Sequence, residues 1–212
     1  MEKLKSNLQN MVIVLVGVAL ICGGLLAYIN NVTQPAIQEQ AEKALAEGIK
    51  AVLAADNVTV KKQEEKKRTV NGKELTFVIY DTDKGVAVQS TDPNGFGGNL
   101  TVLVGFDAEG TILGYTVLEH AETPGLGAKA PDWFQKDAPG CIVGLNPAKC
   151  NLTVSKDGGD IDAITASTIT SRSFLRAVQQ AYNTYKEECT DGNTGATSQN
   201  ADGCTGATKQ EN

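Results

Sequence analysis

The stretch LTVLVGFDAEGTILGYTVL, residues 100–118, decides how this chain folds. Leu100, Val102, Val104 and Phe106 recur at every second position, the pattern of a strand with one face turned to a core. Asp107-Ala108-Glu109-Gly110 supplies turn residues, and Ile112 to Leu118 reads as a returning strand. The spacing therefore predicts an antiparallel hairpin. Upstream, Thr76-Phe77-Val78-Ile79-Tyr80 reads as another strand, and Asp83-Lys84-Gly85 as a turn into Val86-Ala87-Val88. Lys61 to Arg68 (KKQEEKKR) is a mixed-sign charge run, read most simply as a solvated connection.

Helical spacing flanks these strands. Pro35 has the composition of a helix opener, because its missing N–H has no partner in a first turn anyway. Ile37, Ala41, Ala44, Leu45, Ile49, Val52 and Leu53 follow at helical intervals. Downstream, Pro124-Gly125 suits the centre of a type II turn. Phe174, Leu175, Val178, Tyr182 and Tyr185 predict an amphipathic helix ending near Lys186. Strands flanked by helices, without regular βαβ alternation, indicate an α+β fold with an antiparallel sheet.

Residues 11–29 carry no charge over nineteen positions, enough to cross a bilayer as a helix at about 1.5 Å per residue. A soluble core helix would show polar residues at helical spacing, and this run has none. A signal peptide would end in small residues around a cleavage site, whereas this run ends Ala27-Tyr28-Ile29-Asn30. Leu20 and Ile21 before Cys22 also lack the small residue expected ahead of a lipidated cysteine. The reading is a single uncleaved transmembrane helix. Lys3 and Lys5 precede it, and no Lys or Arg occurs from Asn30 to Gln40, so the N-terminus is expected in the cytoplasm. Gly17, Gly23, Gly24 and Ala27 give the span a small-residue face suited to partner helices. The expected divisions are a cytoplasmic N-terminus (1–10), the transmembrane helix (11–29), an exported domain (30–186) and a disordered polar tail (187–212).

A balance of 19 basic against 25 acidic side chains gives no concentrated positive face, which argues against nucleic acid. With one histidine and no CxxC spacing, a zinc or iron–sulfur site has no support. Cys141, Cys150, Cys189 and Cys204 would lie outside the membrane, where four cysteines allow three disulfide pairings. Cys141 with Cys150 closes the shortest loop. No strand–GxGxxG–helix unit suggests a nicotinamide site.

The chemistry-bearing stretch is Asp162-Ala163-Ile164-Thr165-Ala166-Ser167-Thr168-Ile169-Thr170-Ser171. It is a small, polar approach to a helix N-terminus, where free N–H groups and the helix dipole favour a phosphate. Thr168 offers a hydroxyl for esterification. Spacing alone fits an ordinary Ser/Thr cap equally well.

This stretch resembles the flavinylation motif of the FMN-binding domain family, Asp-x-x-Ser/Thr-Gly-Ala-Thr, with Ala166-Ser167 standing where Gly-Ala is commoner. The order Gly95-Phe96-Gly97-Gly98, hairpin, then His120-Ala121-Glu122-Thr123-Pro124-Gly125-Leu126-Gly127 resembles the family's glycine-rich loop and Glu-Thr-Pro-Gly-Leu-Gly segment. The family includes the G subunit of Rnf-type ion-translocating complexes and the C subunit of the sodium-pumping NADH:quinone reductase. The single span, the short length and Thr33-Gln34-Pro35 are most similar to the former. The resemblance implies that a flavin transferase cleaves FAD and leaves FMN on Thr168 through a phosphoester. It implies cofactor contacts for Asp162, Thr165 and Ser167, and for Glu122, Thr123, Leu126 and Gly127. It further implies an electron-relay subunit, without independent turnover, among other membrane subunits of a complex coupling ferredoxin and NAD oxidation–reduction to sodium or proton transport. The site would face outward from the cytoplasmic membrane. The C-type quinone-reductase subunit and a non-redox anchored binding module are the alternative expectations.

The pattern recurs twice in the tail, at Asp191-Gly192-Asn193-Thr194-Gly195-Ala196-Thr197 and Asp202-Gly203-Cys204-Thr205-Gly206-Ala207-Thr208. Thr197 and Thr208 are therefore expected as extra attachment points, although a low-complexity duplication reads the same way.

Overall fold

The structure, a computed structural model, describes residues 8–192 except Asp56 and Asn71. These residues fall into two units, one ending at Glu47 and one beginning at Gly48. Helix α1 (Leu8–Val52) makes up the first and contributes its last turn to the second. The large apolar side chains from Met11 to Ile29 stand exposed, and by length and composition α1 can cross a membrane. Pro35 lies inside α1 and opens no helix of its own, contrary to the sequence expectation. An interior proline loses one N–H bond and crowds the preceding turn, at a cost of about 3 kcal/mol. The helix nonetheless continues on both sides, with the Thr33 hydroxyl donating to the Ile29 carbonyl at 2.8 Å and Lys43 paired to Glu39 at 2.7 Å.

The second unit is built on one antiparallel sheet in the order β1-β2-β3-β4-β5. Its strands are β1 (Val60–Val70), β2 (Lys73–Thr82), β3 (Val86–Asp92), β4 (Leu100–Phe106) and β5 (Ile112–His120). Val102, Val104 and Phe106 face a core shared with Phe134, Ile142, Ile164 and helix α3 (Thr168–Gly192). All seven β4 residues are buried, more than one-sided alternation predicts. The second face is closed by the segment that begins at Gly48, where Ile49, Val52 and Leu53 are buried. Gly105 and Gly114 pair across β4 and β5, and a Cβ at Gly105 would stand 2.5 Å from the Val52 carbonyl oxygen. That close approach requires glycine.

β1 corrects the reading of KKQEEKKR as a connection: it pairs with β2 over its whole length. Glu64, Lys66, Arg68 and Val70 are half-buried at every second position, so the period of a strand is present but three of its four positions are charged. Lys66 and Arg68 half-bury their stems while their charged heads find partners, as long cationic side chains can. Arg68 sits 5.4 Å above the Phe77 ring and pairs with Glu187 at 2.7 Å, while Lys66 meets Glu188 at 2.6 Å. These partners extend α3 past Lys186, where side-chain periodicity ends it. Tyr182 and Tyr185 pack their rings on Phe106, with centroids at 5.9 and 5.0 Å.

Helix α2 (Ala130–Trp133) is held to β5 by Tyr115, whose hydroxyl lies 2.9 Å from the Ala130 and Pro131 carbonyls and accepts the Phe134 N–H. Cys141 and Cys150 are free thiols, so the short-loop disulfide is not formed. Each thiol instead faces a main-chain carbonyl, Cys141 that of Val143 and Cys150 that of Asn146. The tail threonines Thr197 and Thr208 lie outside the described residues.

Candidate functional site

Three segments converge on one cleft of about 290 Å³: the loop after β3, the segment after β5, and the start of α3. Phe96, Leu126 and Ile169 provide apolar walls, and all three are exposed to solvent. Thr123, Ser167 and Thr168 supply polar groups along the lining.

Local chemistry shapes each segment. Asp92 is almost fully buried at the end of β3, where it accepts both Asn94 nitrogens and the Arg176 Nε of α3, the last at 2.8 Å. The loop carrying Phe96 is thereby tied to the helix. After β5, the Leu126 N–H reaches the Thr123 carbonyl at 3.2 Å and Gly125 has φ +79°, the turn expected for Pro124-Gly125. At the third segment, Ser167 N–H bonds the Ile164 carbonyl, and Ser171 returns both its N–H and its hydroxyl to the Ser167 carbonyl at 3.0 Å. Ala166 between them has φ +60°, a left-handed conformation that a Cβ disfavours. The commoner glycine at that place in the motif therefore has a backbone reason.

Glu122 joins the segments. Its carboxylate accepts the Gly97 N–H at 3.3 Å and the Thr170 hydroxyl at 2.7 Å, one on each oxygen. Gly127 packs so closely that an added Cβ would meet Glu122 Oε2 at 2.7 Å. Only 6% of Glu122 is exposed, so its oxygens are committed to the protein. His120, half-buried, accepts the Glu122 N–H through Nδ1 at 3.3 Å and serves the same corner. Glu122→Ala leaves a buried hydroxyl and an amide without their acceptor. Urea unfolding should show a loss of about 2 kcal/mol, and an unchanged midpoint would remove Glu122 as the tie between segments.

Of the residues singled out from sequence, Glu122, Thr123, Leu126, Gly127, Ser167 and Thr168 line the cleft together. Asp162 and Thr165 do not: both are exposed, and Asp162 instead accepts the Ser155 hydroxyl at 3.0 Å and, through its carbonyl, the Trp133 indole. Phe96, Ile169 and Thr170 belong to the lining and were not assigned a role from sequence. A phenylalanine between glycines, with no strand period around it, was the available signal for Phe96. Lys156 also was missed. It sits on a 3₁₀ turn (Ser155–Asp157) with Nζ 3.5 Å from Thr168 Oγ1. No cluster of metal-binding side chains occurs among the described residues.

Thr168 is the first residue of α3, so its amide and those of Ile169 and Thr170 precede the helix's own bonding. A cleft that combines exposed apolar side chains with a helix N-terminus suits a planar aromatic group bearing a phosphate. Residues 95–183 match the FMN-binding domain family model, and residues 1–52 match the RnfG N-terminal region. The chain is 39% identical over 173 residues to the G subunit of the ion-translocating oxidoreductase complex of Escherichia coli K12, covering 74% of this chain and 81% of that protein. It is 37% identical over 169 residues to the same subunit of Salmonella typhi, with the same coverage. The Shewanella piezotolerans subunit is 31% identical over 187 residues, covering 80% of this chain and 87% of its own length. The chain belongs to the family of G subunits of ion-translocating oxidoreductase complexes.

FMN fits the residues present. Phe96, Leu126 and Ile169 would cover apolar ring surface, and the amides opening α3 would face the phosphate. At about 290 Å³ the cleft lies at the small end for ligand sites, so it would enclose only part of the group.

Proposed function

We propose that this chain is the electron-relay subunit of a membrane-bound complex that couples ferredoxin and NAD oxidation–reduction to sodium or proton translocation, with FMN joined to Thr168 by a phosphoester. The observation carrying this reading is the position of Thr168, at the first residue of α3 with its side chain on the cleft between Phe96, Leu126 and Ile169. In the joining step the Thr168 oxygen bonds the FMN-side phosphorus of FAD, the pyrophosphate bond breaks, AMP departs and the hydroxyl proton is lost. A flavin transferase performs that step. Bound FMN supplies the electron-carrying chemistry, and the protein supplies position and surroundings.

The chain's own residues then have separable tasks. Thr123, Leu126 and Ser167 form the surface against the cofactor. Glu122 and Gly127 keep the segments at their spacing, Glu122 acting through Gly97 and Thr170. A shallow cleft leaves part of the group facing outward, which suits exchange of electrons with a neighbouring subunit. Residues 11–29 of α1 anchor the chain in the cytoplasmic membrane, with Lys3 and Lys5 on the cytoplasmic side and the cleft outside. Thr197 and Thr208 are further attachment points, supported by the repeated Asp-x-x-Thr-Gly-Ala-Thr pattern.

The full chain co-produced with a flavin transferase should give a fluorescent band in a denaturing gel, since only a covalent flavin survives denaturation. Mature protein with no such band would sink the covalent reading.

A further inference from the structure

A phosphodiester on Thr168 brings a full negative charge to a half-buried position. The amides and dipole at the start of α3 answer part of that charge. Side-chain cations nearby are mostly committed elsewhere. Arg172, one turn along α3, is bound through Nε and Nη2 to both Asp157 oxygens at 2.7 and 2.8 Å. That pairing also holds the Asp157 carboxyl below its ordinary range, so it stays ionised on Arg172. Arg176 is held by the buried Asp92.

Lys156 is different. Among the described residues it is the one whose cationic side chain has a hydrogen bond to Thr168, at 3.5 Å, on the long side for such a contact. Oxygens on a phosphorus joined to Oγ1 extend beyond that atom, which brings them within reach of a lysine already at its side. The turn bearing Lys156 is not free to drift. Ser155 N–H bonds the Ile161 carbonyl at 2.8 Å, Val154 bridges Ile161, and the Ser155 hydroxyl donates to Asp162. The motif's aspartate thus braces the turn that presents the lysine, which accounts for an Asp162 side chain outside the cleft.

Resting on the assignment of Thr168 as the attachment point, we propose that Lys156 is the counter-cation of the threonyl phosphoester, a positioning residue held in place by Ser155 and Asp162. Lys156 then pairs with a non-bridging oxygen of the phosphate and fixes its orientation at the head of α3.

The test uses the full chain co-produced with a flavin transferase, as wild type, Lys156→Gln, Lys156→Arg and Thr168→Ala. Lys156 lies on the surface, so the glutamine variant is expected to fold, and circular dichroism checks it. The deciding readout is the ³¹P resonance of the loaded threonyl phosphoester. It should move in Lys156→Gln and return close to the wild-type position in Lys156→Arg. Loading followed by intact mass should slow about fivefold in Lys156→Gln, the size of one exposed charge contact. That deficit should fade near 1 M salt, where the screening length falls to about 3 Å. An unmoved ³¹P resonance in Lys156→Gln overturns the proposal, whatever the loading rate. A Thr168→Ala protein of wild-type flavin content would instead overturn the attachment site itself, a separate outcome.

Discussion

Thr168→Ala protein, matured beside the same transferase, should be one FMN lighter than wild type by intact mass. The substitution removes the hydroxyl and the γ-methyl from a half-buried position at the first residue of α3. No core contact goes with it, so the unfolding midpoint should hardly change. The loss at this position should be complete rather than graded, because a bond to phosphorus needs the hydroxyl. Thr168→Ser restores a hydroxyl at the same place and should recover part of the loading. Removing Thr197 and Thr208 in the same protein separates the tail from the cleft: any flavin left after Thr168→Ala should disappear with them. Retention of the full wild-type mass in Thr168→Ala would end the assignment.

The second large effect is on stability. Phe174→Ala should cost about 3–5 kcal/mol in urea unfolding of the full chain in detergent. Phe174 is fully buried, stacks on Phe134 at 4.2 Å and meets Tyr115 edge-on at 4.9 Å. It therefore joins α3 to the segment after α2 and to β5. A typical domain has only about 5–15 kcal/mol in total, so a large fraction of the margin would go. The start of α3 lies less than two turns away, so the cleft should loosen as well. Flavin fluorescence in loaded protein should become easier to quench before global unfolding. A loss below about 1 kcal/mol would mean that the aromatic stack does not anchor α3.

Much of this fold could be read in the chain beforehand where side-chain period and burial coincide. The 100–118 hairpin, the turn at Pro124-Gly125 and the face of α3 from Phe174 to Tyr185 are such cases. Two of the failures share a physical root: a partner distant in sequence overrode a local signal. β1 is strand because β2 supplies its ladder and α3 supplies acids for Lys66 and Arg68. β4 is buried on both faces because Gly48–Leu53 closes the second one. Pro35 failed to mark a helix start because nothing ends α1 before it. At the cleft, a short motif exposed Thr168, whereas Lys156 lies in a Ser-Lys-Asp turn with no pattern to announce it. Asp162 was visible as a motif residue, yet its direction depends on Ser155, which spacing does not encode.

The charged strand β1 has a further consequence for a protein made to assemble with others. It forms an outer edge of the sheet, where unpaired main-chain groups invite another strand to add on. Lysine and glutamate along that margin make strand addition unfavourable and guard the chain against fibrillar self-association while it awaits its partners.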